Sequence, residues 1–263
     1  METSSQEIED GVNIATAVRI RPMHAAEVVN ELPSSISGCT TSNRVICDMS
    51  HNSIYSNSPK VFGYDHVFDE YSSQEEVYTQ AVASLVDSFL DGYNSTVFCY
   101  GEGGSGKTYT LLGDDCYSSK DQRDTGMIDY CLQQVFNEIV RFEECQLELG
   151  YFMICNEKIY DLISSKDEAL TGNVKDLSKR WKYEINSIEE VNELIDKGNL
   201  KYWKIREKKC ATKAHKIFQI TLTTKVISAE LALIPRTLSL VDMADSSRIS
   251  KASACGQTLK EAV

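Results

Sequence analysis

The sequence carries too little positive charge for a general nucleic-acid-binding protein. Its 263 residues include 27 Lys and Arg against 39 Asp and Glu, which gives a formal net charge of −12. A surface that attracts phosphate backbones is usually basic overall. The composition therefore argues against nucleic acid as a partner.

Regularly spaced metal ligands are also missing. The nine cysteines are scattered from Cys39 to Cys255 without a C-x-x-C pair, and the four histidines are dispersed. No zinc-binding spacing results from this distribution. We expect free, buried thiols in a reducing compartment.

Long apolar runs and a targeting signal are absent as well. The N-terminal stretch METSSQEIEDGVN is polar and acidic, unlike a secretory or mitochondrial signal. No apolar run approaches the length needed to span a membrane. We therefore expect a cytoplasmic protein without a membrane partner, in which residues 1–12 form a disordered tail.

One glycine-rich stretch, YGEGGSGKTYTLLGD at residues 100–114, carries recognisable chemistry. Its spacing satisfies G-x-x-x-x-G-K-[ST], in which glycines let successive backbone N–H groups converge on phosphate oxygens. Lys107 would add a point charge to those phosphates, and the Thr108 hydroxyl would be a magnesium ligand. The candidate nucleotide-binding loop comprises Gly101, Glu102, Gly103, Gly104, Ser105, Gly106, Lys107 and Thr108.

The flanking residues decide between a phosphate loop and a merely flexible turn. The preceding STVFCY, residues 95–100, is a short apolar run typical of a buried strand. The following KTYTLL can begin a helix whose first turn faces the anion. Strand, loop and helix are the frame that this motif requires, so we expect phosphate binding here.

Strands and helices alternate along the rest of the chain. NIATAVRIRP at residues 13–22 predicts a strand, and residues 72–94 predict one long helix with a capping box formed by Ser73 and Glu76 and an end at Gly92. A second helix is predicted over 127–142, and a third over 187–198 that Gly198 ends. Further strands are predicted at residues 147–156, 216–227 and 236–244.

This alternation predicts an α/β fold, a mixed central sheet with helices on both faces. No repeat or low-complexity linker interrupts the chain.

The order of several motifs resembles the kinesin motor domain. The matching stretches are VRIRP (18–22), FGYDHVFDEYSSQEEVY (62–78), LDGYNSTVFCYGEGGSGKTYTLLG (90–113), NEKIYDLI (156–163), KAHKIFQITL (213–222), LVDMADSSR (240–248) and LKEAV (259–263). The resemblance implies a P-loop NTPase core over residues 13–263 that binds ATP or ADP with Mg²⁺. It also implies a microtubule partner, an ATP hydrolase activity and a cytoskeletal location.

The resemblance assigns roles to individual residues. Arg19, Arg21 and Pro22 match positions that flank the adenine, and Tyr109 could contact its other side. The alternative for the two arginines is an ion pair at the end of a strand. Asp242 directly follows the apolar LSLV and matches the aspartate that holds the magnesium hydration shell, with Thr108 and Thr212.

The two switch motifs depart from the family pattern. Where the family has S-S-R-S-H, this chain has Ala211, Thr212, Lys213, Ala214 and His215, and D-L-A-G-S-E is replaced by DMADSS at residues 242–247. Asp245 places a carboxylate at the glycine that detects the γ-phosphate. Lys213 and Ser247 replace the arginine–glutamate pair that closes the switches. Thr212, Lys213 and Asp242 remain as candidate catalytic residues, and we expect weak hydrolysis.

A basic strip offers a surface for an acidic partner, although a solvated helix face would look the same. Residues 197–216 hold eight Lys or Arg and one acid, Glu207. The resemblance adds Lys175, Lys179, Arg180 and Lys182 as microtubule contacts. The family's later microtubule-contacting and neck elements are missing, and a fragment, a truncated gene prediction and a natural short form all remain open.

Three interpretations follow. The first is a microtubule motor ATPase, the second is an inactive kinesin-like module that binds microtubules, and the third is an unrelated P-loop kinase. The third does not explain the series of kinesin-like motifs. The first two differ only in turnover, which depends on the switch residues.

Overall fold

The computed structural model describes residues 14–30, 36–47, 59–113, 125–166, 169, 182–209, 214–226 and 232–246. Contacts between residues divide the chain into two compact units, Met1–Ser72 and Ser73–Val263. The predicted single motor domain over 13–263 stays a prediction. Within the described residues, no helix is both long and apolar enough to cross a membrane.

The described residues of the first unit form short strands, one short α-helix and a 3-10 turn at Thr40–Ser42. β1 (Ala17–Arg19) is followed by α1 (Ala25–Val29), and β2 (Ile36–Cys39), β3 (Arg44–Cys47) and β4 (Lys60–Gly63) form an antiparallel sheet. β5 (His66–Phe68) pairs in parallel with β1. The strand predicted over 13–22 is therefore only three residues long, and Ile14 before it is 82% exposed.

A six-stranded mixed sheet forms the centre of the second unit. Its strands are β6 (Ser95–Cys99), β7 (Cys145–Cys155), β8 (Lys158–Asp161), β9 (Tyr183–Glu184), β10 (His215–Val226) and β11 (Ala232–Asp242). Their order is β6-β11-β10-β7-β8, with β9 beside β7, and among these described strands only the β6–β11 pairing is parallel. The strands predicted from the apolar patterns of β7, β10 and β11 are confirmed.

Side chains on β10 alternate between the core and the opposite face of the sheet, as a period of two requires. Phe218, Ile220 and Leu222 are all buried. The strand predicted before the glycine loop is present as β6, but the prediction that it is buried is wrong, because β6 turns one face toward solvent. Ser95 on β6 is buried, whereas Phe98 is 63% exposed.

Five helices are described in the second unit: α2 (Gln74–Ala81), α3 (Ala83–Leu90), α4 (Lys107–Leu112), α5 (Met127–Glu138) and α6 (Ile188–Lys209). The predicted cap of α2 is present, since the Ser73 hydroxyl accepts from the Glu76 N–H at 3.1 Å. The single helix predicted over 72–94 is divided, because Val82 adopts φ −121°, outside the helical range. The helices α3 and α4 lie against β6 and β11, and α6 lies against β7.

Gly198 does not end a helix, so that prediction is wrong. It lies inside α6, which continues to Lys209. A Cβ at Gly198 would lie 2.5 Å from Cδ1 of Tyr151 on β7, and Tyr151 donates a 2.6 Å hydrogen bond to Asn199 Oδ1. The glycine is required by close helix–sheet packing, not by the left-handed conformation of a helix end.

Of the six described cysteines, five carry free thiols, but among these five only Cys131 is buried, so the prediction of free, buried thiols holds fully at Cys131 alone. Cys39, Cys47, Cys99, Cys131 and Cys145 are free. Cys155 is disulfide-bonded. Scattered sequence positions could not reveal this bond.

We predict that Gly198→Ala destabilises the protein. The new methyl group would collide with the buried Tyr151 ring, and overpacking of this kind costs about 1–3 kcal/mol. An unhindered alanine would instead favour the helix by about 1 kcal/mol over glycine. Urea denaturation should therefore show a lower free energy of unfolding. Gly63→Ala is the matched control, because a Cβ added there would have nothing within 4 Å. A Gly198→Ala variant at least as stable as the wild type would contradict the prediction.

Candidate functional site

The glycine loop connects β6 to α4, as its sequence predicts. Gly104 and Gly106 adopt φ values of 76° and 95°, in the left-handed region that residues with a Cβ avoid. The turn then enters α4 directly, where the Thr110 N–H donates to the Gly106 carbonyl at 2.8 Å. The two glycines are thus needed for the strand to turn into the helix.

The Lys107 ammonium binds the loop's own backbone. Its Nζ donates to the carbonyls of Gly101 at 2.9 Å and Glu102 at 2.8 Å. These bonds fold the side chain back over the loop and place a positive charge where the motif requires it. A phosphate at this position would compete with the two carbonyls for the ammonium.

Asp242 lies at the end of β11, beside the first turn of α4. The Thr108 hydroxyl donates to its Oδ2 at 2.7 Å. The carboxylate is buried, with 7% of the residue exposed. The structure therefore brings together Thr108 and Asp242, the two described candidates for magnesium binding.

Lys216 is a site residue that the sequence analysis missed. It lies directly opposite Asp242 in the β10–β11 register, and its Nζ is 3.4 Å from Asp242 Oδ2. The ammonium also lies 4.8 Å from the ring centroid of Tyr202 on α6. Alternation with the buried Phe218 could have indicated its inward position, but the surrounding positive charge suggested a surface residue.

Asp245 contacts the glycine loop directly. Its Oδ1 accepts from the Gly103 N–H at 2.7 Å, and its Oδ2 would lie 2.8 Å from a Cβ at residue 103. The neighbouring Ser246 N–H donates to the Gly101 carbonyl at 3.1 Å. A carboxylate thus occupies one backbone donor that the motif provides for phosphate.

The segment after β11 is anchored at two further points. The Met243 N–H donates to the Cys99 carbonyl at 3.2 Å, and the Ala244 N–H donates to His215 Nδ1 at 3.1 Å. His215 is the histidine of the first switch motif. Its ring therefore connects that motif to the second one.

The donor set beside the loop suits magnesium only in part. Hydroxyl and carboxylate oxygens are ligands that Mg²⁺ prefers, and Thr108 and Asp242 supply one of each. A buried ammonium at 3.4 Å from the same carboxylate opposes a second cation. Among all described residues, those of the site included, no group of three or more His, Cys, Asp or Glu could hold a metal ion. Lys216 therefore makes this site differ from the magnesium site that the resemblance predicts.

The predicted adenine-flanking residues Arg19, Arg21 and Pro22 lie in the first unit. Arg21 donates to both carboxylate oxygens of Glu27, at 2.8 and 2.6 Å, and its hydrogen bonds lower the pKa of Glu27 to about 2. Arg19 donates to the Ser72 carbonyl at 3.4 Å. The ion pair expected as the alternative is present at Arg21, and the role of all three toward adenine stays a prediction.

Tyr109 follows Thr108 on α4 and is 38% exposed. Its backbone carbonyl accepts from Gln74 Nε2 at 2.8 Å. This bond joins α4 to the start of α2, a connection that the sequence motifs did not indicate. The predicted contact of the Tyr109 ring with adenine stays a prediction.

The basic strip of residues 197–216 is not a continuous surface. Lys201 is 8% exposed, and its Nζ donates to the carbonyls of Asp161, Ser164 and Lys166 at 2.5–2.7 Å. Lys216 is buried beside Asp242, whereas Lys197 and Lys204 are exposed on α6. Of the other predicted microtubule contacts, Lys182 forms a 3.3 Å ion pair with Glu148. The strip therefore has fewer available charges than the sequence suggests.

Several predicted site residues lie outside the described part of the chain. They belong to the two switches and to the predicted microtubule contacts: Thr212, Lys213, Ser247, Lys175, Lys179 and Arg180. Their roles stay predictions.

Comparison with known proteins agrees with this geometry. A family profile described as the kinesin motor domain matches residues 19–263. The Arabidopsis thaliana kinesin-like protein KIN-5A is 29% identical over 98% of this chain, and the kinesin heavy chain of Syncephalastrum racemosum is 32% identical over 76%. The chain spans 27% and 22% of those two relatives, about a quarter of their length.

A solved structure of a fast kinesin is also similar. It superposes with a TM-score of 0.80 and 27% identity, covering 95% of this chain and 70% of that one. This likeness confirms the predicted α/β, P-loop class with a mixed central sheet. Because the family profile covers most of the sequence and the fold agrees, the chain belongs to the kinesin motor domain family.

Proposed function

We propose that this chain binds adenine nucleotide at Gly101–Thr108, associates with microtubules and hydrolyses ATP only weakly. The observation that carries the proposal is the hydrogen bond of Thr108 to Asp242, which joins the glycine loop to the end of β11. Family membership supports a nucleotide-binding, microtubule-associated role. The similar solved structure is of a fast kinesin studied for its ATPase mechanism and its interactions with microtubules.

Nucleotide binding follows from the chemistry of the loop. Left-handed glycines turn the backbone, and Lys107 holds a positive charge over it. Such loops bind phosphate through several backbone N–H groups and one ammonium. Kinesin motor domains in general bind their nucleotide with magnesium. In this chain Thr108 and Asp242 would be the residues that hold the metal, and the Lys216 ammonium beside Asp242 opposes it.

Weak hydrolysis follows from the second switch. Phosphoryl transfer requires the protein mainly to position the reactants and stabilise charge. Asp245 binds the Gly103 N–H and adds negative charge beside the loop. The occupied N–H and the added negative charge both oppose the binding of a γ-phosphate beside the loop. The substitutions at Lys213 and Ser247 remove the arginine–glutamate pair that closes the switches in the family.

An inactive, microtubule-binding module is the second candidate. The Asp245–Gly103 contact favours it, because a carboxylate already engages a donor that a triphosphate would need. The two candidates share the fold and the nucleotide loop. Measured turnover separates them.

We predict that Lys107→Ala lowers the affinity for ADP about ten- to a hundredfold, since hydrogen bonds to charged groups contribute about 1.5–3 kcal/mol. Isothermal titration calorimetry measures the change. Lys158→Ala is the matched control, because Lys158 is an exposed lysine on β8. A thermal melt checks that both variants fold. Equal ADP affinity in the wild type and Lys107→Ala would disprove the role of the loop.

We predict slow ATP turnover with little stimulation by microtubules, and a rise on Asp245→Gly. The substitution frees the Gly103 N–H, and one donor to a transition state is commonly worth about a hundredfold in rate. Asp245→Asn removes the charge but keeps an acceptor, so its rate should lie in between. Steady-state phosphate release with and without microtubules measures all three. A wild-type rate that microtubules stimulate strongly would exclude weak hydrolysis.

We predict weak, salt-sensitive binding to microtubules through the exposed charges of α6. Replacing both Lys197 and Lys204 by Glu should reduce co-sedimentation at low salt, because the microtubule surface is acidic. Replacing the exposed Lys60 and Lys158 by Glu makes the same change in net charge elsewhere and should have little effect. Binding should fall near 0.15 M salt, where the screening length is about 8 Å. No sedimentation at low salt, or equal loss in both double variants, would reject this surface.

A further inference from the structure

We propose that Lys216 supplies, from within the chain, the positive charge that magnesium would otherwise bring to Asp242. Nucleoside diphosphate binding should then depend little on magnesium. This inference rests on the proposed binding of nucleotide at Gly101–Thr108. The inference concerns the cation that pairs with Asp242. Family membership does not decide whether that cation is magnesium or Lys216 in this chain.

The position of Lys216 is set by the sheet. It pairs with Asp242 across the antiparallel β10–β11 ladder, so both side chains emerge on the same face. Its Nζ is 3.4 Å from Asp242 Oδ2, and the Thr108 hydroxyl donates to that same oxygen at 2.7 Å. One carboxylate oxygen is therefore shared by the loop hydroxyl and by the ammonium.

Burial makes this ammonium a lasting part of the site. Lys216 is 6% exposed and Asp242 is 7% exposed. The ring of Tyr202, itself buried, lies on another side of the ammonium at 4.8 Å. A buried ammonium that loses its carboxylate is strongly unfavourable, so the pair does not separate readily.

The charges at this point are balanced without a metal. Asp242 brings one negative charge and Lys216 one positive charge, both shielded from water. A divalent cation that used Asp242 to hold its water shell would be repelled by the ammonium beside it. Lys216 thus cancels a negative charge that would otherwise repel the phosphates of a bound nucleotide, and Lys107 supplies the positive charge over the loop.

The experiment measures ADP affinity of the full chain by calorimetry, with saturating magnesium and with excess EDTA. The wild type should change less than about threefold between the two conditions, below the usual size of a coupling between ligands. Lys216→Met should bind more weakly in EDTA than in magnesium by about tenfold or more, because the internal cation is gone. Lys216→Arg, which keeps the charge, should behave like the wild type.

Two controls separate the effect from general changes. Lys158→Met removes an exposed positive charge on β8 and should leave the magnesium dependence unchanged. Thermal melts establish that each variant is folded. Should Lys216→Met fail to fold, the wild-type measurement still decides, because insensitivity to EDTA supports the inference and a tenfold loss overturns it.

The remaining outcomes are also decisive. Magnesium-dependent binding by the wild type, or a folded Lys216→Met variant that behaves like the wild type, overturns this inference and leaves the proposed nucleotide binding intact. No ADP binding in either condition overturns the proposed function and this inference together.

Discussion

The carboxylate of Asp242 joins three segments that are distant in sequence. It ends β11, accepts the hydroxyl of Thr108 on α4 and faces the ammonium of Lys216 on β10. Asp242 and Lys216 are both buried, and the attraction between charges is stronger there than at the surface. This ion pair and this hydrogen bond help to hold the glycine loop on the sheet, together with the contacts of Asp245 and Ser246 with the loop backbone.

Among the described residues, the charged groups beside the glycine loop already have partners within the chain. Lys107 binds two loop carbonyls, Asp245 binds a loop N–H, and Lys216 neutralises Asp242. A bound phosphate would have to displace some of these contacts. A ligand gains only the difference between its own contacts and those it displaces. The chain thus retains the family fold, but several groups of its binding site already bind one another.

Local rules explain what the sequence could predict. Gly104 and Gly106 need left-handed backbone, and Ser73 caps a helix within its own turn, so spacing along the chain was sufficient. The buried face of β10 followed from its alternation. Lys216 was missed because two patterns disagreed. The period of its strand predicts a buried side chain, whereas its many charged neighbours suggest an exposed one. Its counter-ion lies on another strand, so the sequence near Lys216 does not reveal it. Asp245 was recognised as a charge, but its contact with Gly103 depends on tertiary structure.

The close contact of Gly198 with Tyr151 has a mechanical consequence for α6. A helix that moves past a sheet in one-turn steps must present a similar surface after each step. One turn from Gly198 the helix carries Ile195 on one side and Tyr202 on the other, both large and both buried. Neither side chain could replace the missing Cβ over the Tyr151 ring, whose hydroxyl is also held by Asn199. A shift of α6 by one turn along its axis would therefore press a large side chain against the Tyr151 ring, so the missing Cβ of Gly198 sets the position of the helix along β7.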